Sequence, residues 1–156
     1  MRAKSGFTLV EILIVVVILG ILAAIVIPQF TEASTEAKTS SLCTDLQTVR
    51  SQIELYKIQH NDNLPGVSVT GVHATDCNDI ADALTSMTNQ AGVKQTTAGT
   101  GVYGPYLQKF PSNPFVTTNA DQVEEGTGSP GGGNYGWYFN TTSGDFNADD
   151  DDHSSL

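Results

Sequence analysis

The sequence predicts an α+β chain in which one long N-terminal α-helix, apolar in its first half and amphipathic in its second, packs on a small C-terminal antiparallel β-sheet. Three observations predict it. Apolar residues crowd the stretch from Phe7 to Ile27, no Gly or Pro interrupts the stretch from Thr31 to about His60, and Tyr135 to Ala148 alternates as a hairpin does. The 156 residues suit one domain with a modest core. Seventeen acidic side chains against seven basic ones give a net charge of −10, which argues against nucleic acid as the main partner, because phosphate neutralisation needs clustered Lys and Arg. Two cysteines are too few for a disulfide scaffold or a four-cysteine zinc site.

The N-terminal element begins with a polar, basic stretch, residues 1–6, carrying Arg2 and Lys4. Phe7 to Ile27 then reads FTLVEILIVVVILGILAAIVI, which as a helix would span about 31 Å, close to the hydrocarbon thickness of about 30 Å. Positive charge before the segment, with Glu32 and Glu36 after it, places the N-terminus in the cytoplasm and the remainder outside. The apolar run is longer than a secretory signal core, and no small-x-small cleavage site closes it. Glu11 is the exception within it: a carboxylate deep in an apolar helix is costly unless it has a partner or lies shallow enough to reach the headgroups. Gly20 weakens the helix, and Pro28, which lacks an N–H, predicts a kink or unwinding beside Ala24.

Gly6-Phe7-Thr8-Leu9-Val10-Glu11, preceded by a basic leader and followed by an unbroken apolar run, resembles the N-terminus of type IV pilins and type II secretion pseudopilins. The likeness runs from about Arg2 to Phe30. It implies that a prepilin peptidase cleaves after Gly6 and methylates the new N-terminal Phe7. It also implies that Glu11 neutralises the Phe7 amine of a neighbouring subunit, an arrangement in which a buried carboxylate meets a buried ammonium. The stretch between Gly20 and Pro28 would extend during filament assembly.

Beyond the apolar run, Leu42, Leu46, Val49, Ile53 and Tyr56 fall at steps of four and three and line one helical face. Asn61-Asp62-Asn63 and Leu64-Pro65-Gly66 end the helix. Asp76 to Gln90 reads as a short helix with Ile80, Leu84 and Met87 on one face and Gly92 as its stop. Gly101 to Phe115 reads as a packed loop. In the hairpin, Tyr135, Trp137 and Phe139 share a face, Thr141 to Gly144 turn, and Phe146 returns. The order of these elements is similar to that of the major pseudopilins of type II secretion, with Tyr106-Leu107, Phe110-Pro111 and Asn113-Pro114 as the matching residues. The chain departs from that pattern at Asn113, where an acid is usual, and at Phe115, where Trp is usual.

The acidic end places Asp145, Asn147 and Asp149 at alternate positions, followed by Asp150, Asp151 and Asp152. Clustered oxygens suit calcium, which the resemblance implies for this region; the alternative is a solvated acidic tail. Gly126-Thr-Gly128-Ser-Pro-Gly131 satisfies GxGxxG, but no apolar strand precedes it and no helix opens after it, so it reads as a flexible linker. Cys43 and Cys77 would both lie outside the cytoplasm, where a disulfide is favoured over free thiols. His60, His73 and His153 are isolated in sequence, and no Ser/His/Asp set can be drawn, so the chain is not expected to be an enzyme.

The expected organisation is a cleaved leader (1–6), a hydrophobic transmembrane and filament-core helix (7–30), an amphipathic continuation (31–63) and a globular head (64–156). The resemblance implies a structural subunit that forms a helical homo-oligomeric filament, a type II secretion pseudopilus driving protein export across the outer membrane. Its partners would be the prepilin peptidase, an inner-membrane assembly platform and minor pseudopilins or pilins. The precursor would sit in the inner membrane as a single-pass protein with a periplasmic head, and the filament would be periplasmic or extracellular. A type IV pilus subunit for adhesion, motility or DNA uptake is the alternative, and a membrane-anchored calcium-dependent surface binding module is a third reading.

Overall fold

A computed structural model describes residues 6–67 and 79–156. The leader charges Arg2 and Lys4, His73, Cys77 and the expected helix start at Asp76 lie outside the described residues, as does the Cys43–Cys77 pairing. The fold is α+β. Its elements run α1 (Leu9–Gln59), α2 (Ile80–Thr85), β1 (Met87–Asn89), β2 (Lys94–Gln95), β3 (Val102–Tyr103), β4 (Val123–Gly126), β5 (Trp137–Asn140) and β6 (Phe146–Ala148). Two compact units are formed, one up to Thr39 and one from Ser40 onwards.

In the first unit every described apolar side chain from Phe7 to Phe30 is exposed. Helix α1 runs through Pro28 without interruption, so the unwinding expected there is absent, as is a break into two helices. Hydroxyls accompany the ladder beyond it: Thr31 Oγ1 donates to the Ile27 carbonyl (2.9 Å), Thr35 to Thr31 (3.0 Å) and Thr39 to Thr35 (3.0 Å).

The second unit is built on the expected seam. Leu42, Leu46, Val49, Ile53 and Tyr56 are all buried and form one core with Ile80, Leu84, Phe110, Trp137, Phe139 and Phe146. The helix stops because Asn61 and Asp62 take left-handed backbone angles (φ 55° and 63°), and the orphan carbonyls find donors: Asp62 N–H reaches Lys57 O at 2.8 Å and Asn63 Nδ2 reaches His60 O at 2.6 Å.

Helix α2 is shorter than the sequence pattern implies. Asp79 caps its N-terminus, accepting Asp82 N–H at 2.7 Å, and Ser86 closes it in an extended conformation, so Met87 starts a strand rather than completing a helical face. Gly92, the expected helix stop, sits at φ 80° in the β1–β2 turn, where Asn89 Oδ1 accepts the N–H groups of Ala91 and Val93. Strand β3, within the expected loop, completes an antiparallel sheet of order β2-β1-β3.

The second sheet has the order β4-β5-β6. The hairpin is confirmed, with Trp137 opposite Ala148 and Phe139 opposite Phe146. Tyr135 precedes the strand instead of sharing its face. The sheet is mixed rather than antiparallel, because β4 joins β5 in parallel. This strand escaped the sequence pattern since only Val123 is apolar. Val123 packs against the core, and Glu125 Oε1 is occupied as the acceptor of Ile80 N–H (2.6 Å) at the start of α2. Tyr138, opposite in facing to Trp137 and Phe139, is buried as well, with its hydroxyl close under Gly126.

Candidate functional site: the head of the long helix and an acidic C-terminal cradle

Two groups of residues carry chemistry, and each lies within one unit. At the start of α1, Glu11 and Thr8 cap the helix reciprocally. Thr8 Oγ1 accepts the Glu11 N–H (3.3 Å), while Glu11 Oε2 accepts both the Thr8 N–H (2.7 Å) and the Thr8 hydroxyl (2.8 Å). This is the capping-box arrangement of Ser/Thr followed three residues later by Glu. It explains how a carboxylate is held at the head of an otherwise apolar helix: two of its hydrogen bonds come from within its own turn. Gly6 and Phe7 precede the first helical residue and are exposed. Gly20 and Pro28 lie within the continuous helix. The helix is long and apolar enough to cross a membrane.

Residues 1–27 match the prokaryotic N-terminal methylation motif. The chain carries a prepilin-type N-terminus. Its relatives extend the likeness. It is 44% identical to type II secretion system core protein G of Pseudomonas aeruginosa over 59 residues, which is 38% of this chain and 42% of that one. The corresponding protein of Vibrio cholerae is 28% identical over 115 residues, 74% of this chain and 68% of its own. A fimbrial protein of Pseudomonas aeruginosa is 39% identical over 54 residues, 35% of each chain. The match thus spans less than half the length of the first of these relatives. No solved structure gives a significant match.

The second group gathers around the acidic end. Asp149 is fully buried. Its Oδ1 accepts the N–H groups of Gly131 and Gly132 (3.0 Å each), and its Oδ2 accepts that of Tyr135 (3.3 Å). The glycine-rich stretch read as a linker is therefore an ordered anion cradle, with a carboxylate of the same chain as its occupant. Gly131 and Gly133 adopt φ 109° and 67°, which a side chain would resist.

Asp150 is held from two sides. Asn113 Nδ2 donates to its Oδ2 (2.9 Å), and the His153 backbone N–H (3.1 Å) and Nδ1 (2.5 Å) reach its Oδ1. Burial pushes the Asp150 carboxyl up, but the hydrogen bonds from Asn113 and His153 outweigh it and hold the group below its ordinary 3.8. The His153 ring stacks on Phe115 at 4.0 Å. Both departures from the pseudopilin pattern, Asn113 and Phe115, thus contact the same acidic turn.

The remaining candidates for calcium are dispersed. Asp145 Oδ2 accepts the Ser143 hydroxyl (2.5 Å), Asn147 Oδ1 accepts Arg50 Nη2 (2.9 Å), and Asp151 and Asp152 are exposed. Among the described residues no three His, Cys, Asp or Glu side chains converge to hold a metal ion. The extended conformation of Phe146–Ala148 spaces Asp145, Asn147 and Asp149 along the sheet instead of wrapping them round one point.

Sequence reasoning missed the partners of four residues here, one of which, Asp149, it expected as a calcium ligand. His60 is buried and stacked flat on Tyr56 (3.7 Å between ring centroids); its Nδ1 donates to Tyr56 O and its Nε2 accepts from the Thr88 hydroxyl, both at 2.9 Å. Arg50 links α1 to β6 through Nε to Phe146 O (2.9 Å) and Nη2 to Asn147. Asn113 and the buried Asp149 complete the set. Asn113 and Asp150 stand 37 positions apart, so the linear sequence gives no signal of their pairing.

Proposed function

We propose that this chain is the structural, non-catalytic subunit of a type II secretion pseudopilus. The observation that carries the reading is the combination at the start of α1: an apolar stretch, up to Phe30, exposed on all sides and headed by a glycine-phenylalanine junction that matches the methylation motif. So large an apolar surface demands lipid or protein neighbours. In the precursor the bilayer covers it, and Glu11 is satisfied locally by Thr8. After cleavage between Gly6 and Phe7 by a prepilin peptidase, the new ammonium of Phe7 gives the Glu11 of an adjacent subunit a charged partner. Polymerisation then replaces lipid with neighbouring helices, drawing subunits from an inner-membrane platform into a filament with minor pseudopilins. The similarity to core protein G from two organisms supports the secretion assignment. The match to a fimbrial protein supports a second reading, a type IV pilus subunit.

Mass spectrometry of chain produced with an active prepilin peptidase tests the processing step, which requires a methylated N-terminus at Phe7; material that still begins at Met1 refutes it. Deleting the gene separates the two filaments. Loss of exoprotein secretion with intact surface motility supports the pseudopilus, and the reverse phenotype assigns the chain to a pilus.

A further inference from the structure

We infer that the acidic C-terminal segment is a protein-only lock, folded without a divalent cation, and that the carboxamide of Asn113 makes this possible. The inference is independent of the filament reading. A hard cation such as calcium takes six to eight oxygens at about 2.3–2.6 Å. Here the oxygens of Asp149, Asp150 and Asn147, the part of the segment held against the head, already face donors. Both oxygens of the buried Asp149 take backbone N–H groups from Gly131, Gly132 and Tyr135. Asp150 takes Asn113 Nδ2 on one oxygen and His153 on the other. Asn147 Oδ1 faces the Arg50 guanidinium, a cation of the chain itself. Recruiting these groups to a metal would strip each of its partner, leaving the buried Asn113 amide and several part-buried donors unpaired.

Asn113 decides the electrostatics because it is buried and uses both ends of its amide. Oδ1 accepts Phe115 N–H at 2.9 Å, while Nδ2 donates to Gly136 O at 2.8 Å and to Asp150 Oδ2 at 2.9 Å. An aspartate there would keep the first contact. It would also turn the donor end into an oxygen confronting both the Gly136 carbonyl and a second carboxylate. Two like charges at that separation in a half-buried place need a proton or a cation between them. Asn113→Asp should therefore create a demand for calcium that the native chain lacks.

The single tryptophan, Trp137, is buried in the core beside this segment, and its indole donates to Pro111 O at 2.9 Å, so its fluorescence reports unfolding of this unit. The experiment melts the full chain in detergent with EDTA and with calcium chloride. The native chain should melt within about 1 °C in the two buffers, since a ligand that does not bind the folded state cannot stabilise it. Asn113→Asp should melt about 5 °C or more lower in EDTA and recover most of that loss with calcium. Asn113→Ala, which removes the donor without adding charge, should lose stability with no calcium recovery. A native chain stabilised by several degrees on calcium addition overturns the inference, as does an Asn113→Asp chain that melts like the native one. If that variant does not fold in either buffer, the native comparison still decides.

Discussion

The residues up to Thr39 and those from Ser40 onwards obey different rules. In the first unit the described apolar side chains are exposed, and the helix-head and threonine hydrogen bonds run between residues three or four apart. In the second, the core is closed by residues far apart in the chain, such as Arg50 with Phe146 and Trp137 with Pro111. The contrast separates two ways in which sequence encodes function. A peptidase and a bilayer would read linear pattern, so the role proposed for the first unit is written in consecutive residues. A packed head is specified by pairings across the chain, so its chemistry becomes visible only once it is folded.

The sharpest way to break this comparison is to change the linear signal and watch the head. Gly6→Glu should abolish cleavage, leaving precursor as the only species in an immunoblot while Trp137 fluorescence still melts at the native temperature. Glu11→Ala should be cleaved normally yet give no sheared filament. That all-or-none loss is expected because the Phe7 ammonium would then be buried without a partner. A filament assembled from Glu11→Ala would remove the electrostatic basis of the proposed assembly.

The same division explains what the sequence made legible. The seam from Leu42 to Tyr56 was readable because helical periodicity is local, and each of its members is buried as predicted. The hairpin was readable because its alternation and turn are contiguous. Strand β4 was hidden because two of its four residues are glutamates, one of which caps a helix 45 positions earlier. The glycine-rich cradle looked like a linker because its occupant, Asp149, lies 17 and 18 residues downstream of its donors. The Met87 error came from extending a helical period past Ser86, where the backbone had already become extended.

Truncations within the two units sharpen the contrast at the next level of effect. Trp137→Ala should destabilise the head by about 3–5 kcal/mol through lost packing and the cavity left behind. That is a large part of the total stability of a domain this size, about 5–15 kcal/mol. Chemical denaturation followed by near-ultraviolet circular dichroism of the tyrosines, all five of which lie in the second unit, should show it. Leu13→Ala, in the exposed apolar run, should leave the head's unfolding midpoint where it was. Arg50→Met comes next, at about 1.5–3 kcal/mol, because it keeps the aliphatic stem while removing hydrogen bonds from a charged donor to Phe146 O and Asn147. A midpoint unchanged in Arg50→Met would mean that α1 is fixed to β6 by packing alone.

The smallest expected effect is a dependence on pH that only the head can show. Burial disfavours the His60 imidazolium and holds its pKa below the ordinary 6.5, although the hydrogen bond to the Tyr56 carbonyl pulls the other way. Above about pH 6.5 the histidine is neutral in both folded and unfolded chains, and its contribution to stability is fully present. As the pH falls below that value, the unfolded chain binds a proton that the folded chain resists, so stability declines until the folded-state pKa is reached. The Tyr106 ring beside the imidazole does not titrate in this range, since burial pushes its hydroxyl up. The depressed Asp150 carboxyl loses its contribution only when the pH drops below 3.8, well apart from the histidine window. Melting of the native head should therefore fall by a few degrees from neutral pH into the mildly acidic range, and His60→Gln should flatten that part of the profile. An unaltered slope in His60→Gln would place the proton uptake elsewhere.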